Sequence, residues 1–190
     1  MSETLKIGTE VNFERHDFSL SEVEIWVKER SSLFTEKLKN LVEVLQKTYK
    51  NKIPANLGAE DKNDFTGKDL CIIASEAMLT GVSDLVDIAK YVPGMVSLTY
   101  TPLHQIVQIS AREGNDMLFI DPTYRQINPA FKEDILIFRS SEISEYYSQE
   151  LTGMPEPQII EENHSSFSLT KIPPQEVLDA KNEVGMSMKV

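Results

Sequence analysis

The stretch HQIVQISAREGNDMLFIDPTYRQI, residues 104–127, decides how this chain folds. It contains two short apolar runs of β-strand character, HQIVQISA and DMLFID, on either side of a polar segment that includes Gly114. A glycine between two such runs is typical of a β-hairpin turn. The stretch therefore predicts two antiparallel strands, with His104 at the start of the first strand and Asp121 at the end of the second.

The length of the turn sets which side chains of the two strands are neighbours. A turn of two or four residues around Glu113-Gly114 pairs Ile106 with Asp121. Directly paired residues share a face of the sheet, so His104 and Asp121 become diagonal neighbours with Cβ atoms roughly 7 Å apart. A register shift of one residue would put the two side chains on opposite faces. An even turn thus predicts an imidazole within hydrogen-bonding reach of a carboxylate.

Apolar residues at helical spacing appear in several segments before this hairpin. The first predicted helix opens with a capping pattern at Ser19 or Ser21, and a second helix runs from about Leu33 to Tyr49. We expect the apolar faces of these two helices to be core. Those faces consist of Val23, Trp26, Val27, Phe34, Leu38, Leu41, Val42 and Leu45.

The single cysteine lies in a third predicted helix. A polar loop over residues 50–69 precedes this helix, and Gly81 ends or bends it. A further short helix is expected over residues 83–92, where Pro93 would stop it. The helix that contains Cys71 is therefore short and flanked by loop and turn residues.

From residue 95 onward the pattern changes to strands, with MVSLTYT, HQIVQISA, DMLFID and DILIF in succession. A helix over SSEISEYYSQEL follows them. This order is typical of an α+β fold in which N-terminal helices pack on one side of an antiparallel sheet. We expect an irregular lead-in at 1–18, a single catalytic domain at 19–152, and a partly flexible C-terminal extension at 153–190. The SSFSLTKI segment of that extension alternates as an edge strand does.

Composition narrows the class of function. The chain has 190 residues, of which 41% are hydrophobic and 26% charged, and its net charge is −11. This is the composition of a soluble globular protein, and it lacks the basic footprint of a nucleic-acid-binding surface. No apolar run is long enough to span a bilayer, and the start of the chain lacks the apolar core of a signal peptide. We expect action in the cytoplasm, or delivery into a target cell without a conventional signal peptide.

The side chains that bind metals most strongly are few and scattered. They are Cys71, His16, His104 and His164, and they show no ligand spacing. One cysteine also excludes an internal disulfide. We therefore expect neither a metal nor another cofactor.

Cys71 has the local surroundings of a reactive thiol. Thr66 or Asp69 is a suitable N-cap, which would put Cys71 in the first turn of its helix. A helix N-terminus favours the thiolate through its free N–H groups and its dipole. The alternatives are structural roles for all three residues: Cys71 as a small buried hydrophobe, His104 as an ordinary strand residue, and Asp121 as a turn former before proline.

Taken together, Cys71, His104 and Asp121 are the residue types of cysteine-nucleophile chemistry. The aspartate would orient the imidazole and fix its tautomer. The histidine would take the thiol proton and later protonate the leaving group.

The order of these residues resembles that of the papain-like and transglutaminase-like cysteine enzymes. In them a cysteine opens a buried helix, a histidine strand similar to residues 104–107 (HQIV) follows, and a later strand ends as residues 121–124 (DPTY) do. The separations, 104 − 71 = 33 and 121 − 104 = 17, are similar to those of compact bacterial members, including effector proteases and toxin glutamine deamidases. The resemblance covers about residues 65–150.

The resemblance implies a cysteine hydrolase that acts on an amide of a protein substrate through a thioester. The amide is a peptide bond or a glutamine side chain, and an amine in place of water would give acyl transfer. Two features of the family are missing, because residues 65–70 contain no glutamine and Ile72 stands where an aromatic residue often follows the cysteine. The backbone N–H of Cys71 is one candidate oxyanion donor, and Asn63 and Gln105 are candidates for the second.

A different class of function is also compatible with the sequence. The chain can be a catalytically inactive, papain-like binding module that acts through protein–protein contacts of its acidic surface or its C-terminal tail. An uncorrected register shift in the hairpin, or a deeply buried Cys71, would favour this alternative. The sequence leaves the oligomeric state open.

Overall fold

The computed structural model describes residues 17–48, 57–61, 64–98, 104–147 and 159–161. Its helices are α1 (Leu20–Thr48), α2 (Cys71–Ser83) and α3 (Ile143–Tyr147). Its strands are β1 (Gly58–Asp61), β2 (Asp64–Lys68), β3 (Tyr91–Leu98), β4 (His104–Ala111), β5 (Met117–Asp121), β6 (Leu136–Arg139) and β7 (Ile159–Glu161). Short 3₁₀ turns occupy Tyr124–Gln126 and Ser140–Glu142.

The main sheet is antiparallel and has five strands in the order β6-β5-β4-β3-β7. The predicted class, α+β with N-terminal helical structure and an antiparallel sheet, is confirmed. Strand β4 has the predicted bounds, and residues 112–116 connect it to β5. The Ala111 N–H donates to the Asp116 carbonyl at 2.9 Å, so four residues, 112–115, lie between this last pair. Val107 pairs with Ile120 and Gln108 with Phe119, which is the register that the even turn predicts.

The two faces of the sheet are covered differently. Helices α1 and α2 pack on one face, where the buried sheet residues are Val107, Ile109, Leu118 and Ile120. The opposite face carries a second, more aromatic cluster that includes Tyr147 of α3 and Tyr124. Its other buried members are Val96, Leu98, Ile106, Phe119, Leu136 and Phe138. Side chains two residues apart on a strand point to the same face of the sheet. His104 therefore lies on the second face with Ile106 of β4, and Asp121 lies there with Phe119 of β5.

Helix α1 begins at the predicted capping box. The backbone N–H and the hydroxyl of Ser19 donate to Glu22 Oε2 at 2.8 and 2.7 Å, and Glu22 N–H donates back to the Ser19 hydroxyl at 3.4 Å. All eight apolar residues predicted as core on the first two helices are buried. The amphipathic pattern therefore identified the buried face correctly.

The predicted division of this region into two helices is wrong, because α1 is continuous for 29 residues. The expected break lay at Ser31 and Ser32. The Ser31 hydroxyl donates to the carbonyl of Lys28 at 2.9 Å, and the Ser32 hydroxyl donates to Asp134 at 2.8 Å. The Ser31 hydroxyl shares a carbonyl of the helix and the Ser32 hydroxyl has an acceptor outside it, so neither serine caps a new helix and α1 continues.

Two further predictions of secondary structure are wrong. The predicted polar loop contains the antiparallel hairpin β1–β2, whose pairing is irregular. Helix α2 ends at Ser83, residues 84–90 form turns and β3 begins at Tyr91, so the separate helix predicted over 83–92 is absent. Pro93 lies inside β3, opposite Ile109. Proline is tolerated there because, among the described residues, the other edge of β3 is paired only at residues 96–98.

Part of the predicted C-terminal extension joins the sheet. Strand β7 pairs antiparallel with β3, where Ser97 is opposite Ile160. The predicted edge strand at residues 165–172 and most of the lead-in at 1–18 lie outside the described residues. Within the described ranges, no helix combines the length and the apolar composition needed to cross a membrane.

The contact between β2 and the turn after β5 can be tested with two glycines. Gly67 and Gly114 both have positive φ angles, +76° and +81°. A Cβ at Gly67 would lie 2.7 Å from Thr123 Cγ2, whereas a Cβ at Gly114 would meet nothing within 4 Å. We expect Gly114→Ala to lower the free energy of unfolding by about 1 kcal/mol through backbone strain alone, and Gly67→Ala by about 2–4 kcal/mol. Urea denaturation measures both, and equal losses would contradict the close packing at Thr123.

Candidate active site

Cys71 is the first residue of helix α2, as the sequence predicts for a position in the first turn. The predicted caps are wrong: Leu70 is the N-cap residue and no side chain caps the helix. Thr66 lies within β2, and Asp69 adopts a left-handed backbone conformation with φ +60°. The N–H of Leu70 donates to the carbonyl of Gly67 at 3.0 Å. This tight turn directs the chain from β2 into α2 immediately before the cysteine.

His104 and Asp121 form a short buried hydrogen bond. The distance from His104 Nε2 to Asp121 Oδ2 is 2.6 Å, and the two side chains are 4% and 0% exposed. The diagonal arrangement across β4 and β5, predicted from the even turn, is confirmed. Because the carboxylate is shielded from solvent, its interaction with the imidazole is stronger than a surface pair of the same length.

Asp121 accepts from three further donors, on two residues, in addition to the histidine. Its Oδ1 accepts from the Thr123 backbone N–H at 2.8 Å and from the Thr123 hydroxyl at 3.3 Å. Its Oδ2 accepts from the Tyr147 hydroxyl at 2.8 Å. A buried carboxylate with four donors is fixed in position and satisfied in its ionised form. The carboxylate therefore presents Oδ2 to the imidazole in one orientation.

The thiol and the imidazole favour each other's charged forms. Burial raises the pKa of Cys71, but the hydrogen bond and charge of His104 and the backbone N–H of Gln105 lower it, and the net pKa is lowered. Burial lowers the pKa of His104, but the charge and hydrogen bond of Asp121, together with Cys71, raise it to about 9. The site thus favours a thiolate beside an imidazolium, which is the reactive form of a cysteine nucleophile.

The ring nitrogens of His104 have separate partners. Since Asp121 occupies Nε2, Nδ1 is the nitrogen left to exchange a proton with Cys71. Nδ1 also lies 2.7 Å from Nε2 of Gln126. The Gln126 carboxamide contacts the Asp69 backbone N–H through Oε1 at 3.3 Å and the Thr123 hydroxyl through Nε2 at 3.1 Å.

Gln126 and Tyr147 are site residues that the sequence analysis missed. Gln126 belongs to the 3₁₀ turn after Asp121, and Tyr147 is the last residue of α3. No local spacing marks either residue, because the turn geometry and the packing of α3 bring them to the site. The aromatic content of SSEISEYYSQEL was visible, but aromatic residues on a short helix are more often core than functional.

The structure describes only one of the two side chains predicted as oxyanion donors. Asn63 lies outside the described residues. The buried side chain of Gln105 donates from Nε2 to the Ser97 hydroxyl at 3.4 Å, on the neighbouring strand β3. Gln105 contributes to the site through its backbone N–H, which hydrogen-bonds Cys71. The role of the Gln105 carboxamide as an oxyanion donor stays a prediction.

Within the described part of the chain, no three side chains of His, Cys, Asp or Glu are grouped as metal ligands would be. In comparisons with known proteins, the chain matches no protein-family model, no curated protein and no solved structure. Inference about function therefore stands on the chemistry of the residues themselves.

The role of Asp121 in the charge of His104 can be tested by Asp121→Asn. The amide keeps the shape but removes the charge, so burial then dominates and the pKa of His104 should fall from about 9 to below its ordinary 6.5. NMR titration of the imidazole measures this, with His104→Ala to assign the signal. An unchanged pKa would contradict the pairing.

The same pair makes a prediction about stability. The folded pKa of His104 is raised from 6.5 to about 9, so its protonated form stabilises the fold fully below about pH 6.5, and this contribution is lost as the pH rises through about 9. Asp121→Asn should therefore lower the free energy of unfolding more at pH 6 than at pH 10. Denaturation at the two pH values measures the difference, and equal losses would exclude a charge effect.

Proposed function

We propose that this chain is a cysteine hydrolase with a papain-like or transglutaminase-like core, acting on an amide of a protein substrate through a thioester. The observation that carries the proposal is the 2.6 Å contact between His104 Nε2 and Asp121 Oδ2, with Cys71 hydrogen-bonded to the same imidazole at the start of a helix. A structural histidine needs one partner, whereas this one links a buried carboxylate to a half-buried thiol.

The first half of the reaction forms the thioester. The Cys71 thiolate attacks the carbonyl carbon, and the charge that develops on the oxygen is stabilised by N–H groups at the start of α2. The Nδ1 proton of the His104 imidazolium passes to the leaving nitrogen as the C–N bond breaks. Asp121 stays ionised throughout and holds Nε2–H, so the ring returns to the neutral tautomer with Nδ1 as a base.

The second half releases the acid. Nδ1 takes a proton from water, whose oxygen attacks the thioester carbon, and the C–S bond breaks to regenerate the thiolate and the imidazolium. A peptide bond as the amide makes the enzyme a protease, and a glutamine side chain makes it a deamidase. An amine in place of water gives transamidation. The three reactions use the same side chains. They differ in the amide that binds and in whether water or an amine attacks the thioester.

The state of the thiol can be tested directly, because Cys71 is the only cysteine of the chain. Since the pKa of Cys71 is lowered chiefly by His104 against the opposing effect of burial, alkylation by iodoacetamide should stay fast at mildly acidic pH. In His104→Ala the rate should titrate at or above the ordinary thiol value of about 8.5. Mass spectrometry of the labelled chain gives the rates. An elevated pKa in the wild type, or a profile indifferent to His104, would overturn the proposal.

Activity can be sought with a mixture of glutamine-containing peptides. Cleavage yields fragments, deamidation yields a carboxylate in place of a carboxamide, and transamidation yields an adduct with an added primary amine. We expect Cys71→Ala and His104→Ala each to abolish the product and their losses to be non-additive. Asp121→Ala should leave residual turnover.

The alternative, an inactive binding module, predicts different results. Cys71→Ala would then keep its full biological effect, and the thiol would titrate as a buried core cysteine with a raised pKa. Both outcomes would favour protein–protein contacts over catalysis.

A further inference from the structure

The contacts of Gln126 fix the positions of the protons around His104. The Asp69 backbone N–H can only donate, so the Gln126 atom that faces it at 3.3 Å is the carbonyl oxygen. The amide nitrogen then faces Nδ1 of His104 at 2.7 Å and donates to it. A nitrogen that accepts a hydrogen bond carries no proton, so this contact favours the neutral imidazole, with its proton on Nε2 beside Asp121.

The surrounding charges favour the opposite state. Asp121 of β5 and the thiolate of Cys71 of α2 both raise the pKa of His104, to about 9. Among the described residues, the other titratable groups near the ring are the hydroxyl of Tyr147, from α3, which donates to Asp121, and Asp69, whose side chain is exposed. Protonated Nδ1 would have to face the Gln126 amide donor. The two arrangements exclude each other while that donor stays in place.

We propose that Gln126 is a positioning residue that latches the resting site: its carboxamide holds Nδ1 of His104 as an acceptor until an amide substrate displaces it. This inference rests on the proposed function and adds a means of regulating the same site. The latch is held by the backbone N–H of Asp69 and the Thr123 hydroxyl. It is anchored by the turn after Asp121 and by the residues just before Cys71.

Displacement by substrate follows from the reaction itself. The nitrogen of the scissile amide must approach Nδ1 to receive its proton, and Nδ1 has one lone pair in the ring plane. Substrate and Gln126 therefore compete for one atom. When Gln126 leaves, the proton of the Cys71 thiol moves to Nδ1, no bond other than S–H is broken, and the thiolate–imidazolium pair forms beside the bound amide. Bound substrate thereby increases the fraction of Cys71 that is in the reactive thiolate form.

The test uses the full chain without substrate. Gln126→Met has a similar volume and no N–H donor, so Nδ1 is freed for the thiol proton. One hydrogen bond to the neutral form corresponds to a shift of roughly one pKa unit. We expect Cys71 of Gln126→Met to be alkylated about tenfold faster than wild type at mildly acidic pH. Nitrogen-15 NMR of the three histidines should show that Nδ1 of His104 loses its proton at a lower pH in the wild type than in the variant.

Two further variants keep the test decisive. Gln126→Glu retains an oxygen for the Asp69 N–H and replaces the donor by an acceptor, so His104 should stay protonated to higher pH than in the wild type even if Gln126→Met folds poorly. Gln46→Met, on α1, makes the same chemical change outside the β4–β5 pair and should leave both profiles at the wild-type values.

The outcomes separate the latch from the proposed function. If the thiol profile responds to His104→Ala but is identical in wild type and Gln126→Met, the latch is refuted and the catalytic pair stands. If the profile ignores His104→Ala as well, the proposed function fails with it. An Nδ1 that loses its proton at the same pH in wild type and in Gln126→Met would also refute the latch.

Discussion

The buried carboxylate of Asp121 is the constraint on which the site depends. An ionised group at 0% exposure is costly unless every lone pair is paired, and here the donors come from β4, from the turn after β5 and from α3. The β4–β5 register places His104 beside this carboxylate, and the turn after β5, which contains Pro122, places the Thr123 N–H beside it. Within the described residues, helix α3 is only five residues long, and the hydrogen bond from its Tyr147 hydroxyl to Asp121 helps to hold it in place.

The second requirement is that the start of α2 must reach the end of β4. Ser75 of α2 donates to the carbonyl of Gln105 at 2.8 Å, which joins the helix to the strand one residue beyond the histidine. On the other side, Gly67 packs against Thr123 so closely that a side chain would overlap it. The left-handed Asp69 lies between these contacts. Backbone strain of this kind persists only where surrounding contacts determine it, and here it turns the Asp69 N–H towards Gln126.

The features that could be predicted from the sequence are those that depend on local pattern. The hairpin register follows from turn length and alternation, so the Asp121 contact of His104 could be worked out from the residues alone. The buried face of α1 follows from helical spacing. The β1–β2 hairpin could not be predicted because its residues are polar and irregularly paired. The continuity of α1 across Ser31 and Ser32 could not be predicted because Asp134, the acceptor of the Ser32 hydroxyl, is distant in the sequence. Gln126 was missed because its role arises from a turn and a strained residue 57 positions apart in the chain.

The two ring nitrogens of His104 have partners that favour opposite charge states of the imidazole. At Nε2 a buried carboxylate stabilises positive charge on the ring, while at Nδ1 an amide donor stabilises the neutral ring. A carboxylate alone would keep the imidazole protonated near neutral pH and leave a permanent thiolate open to oxidation and alkylation. An amide donor alone would give a ring too weakly basic to take the thiol proton in a buried site. With both present, the balance is decided by whichever group occupies Nδ1, and an incoming amide is the group that the chemistry requires there.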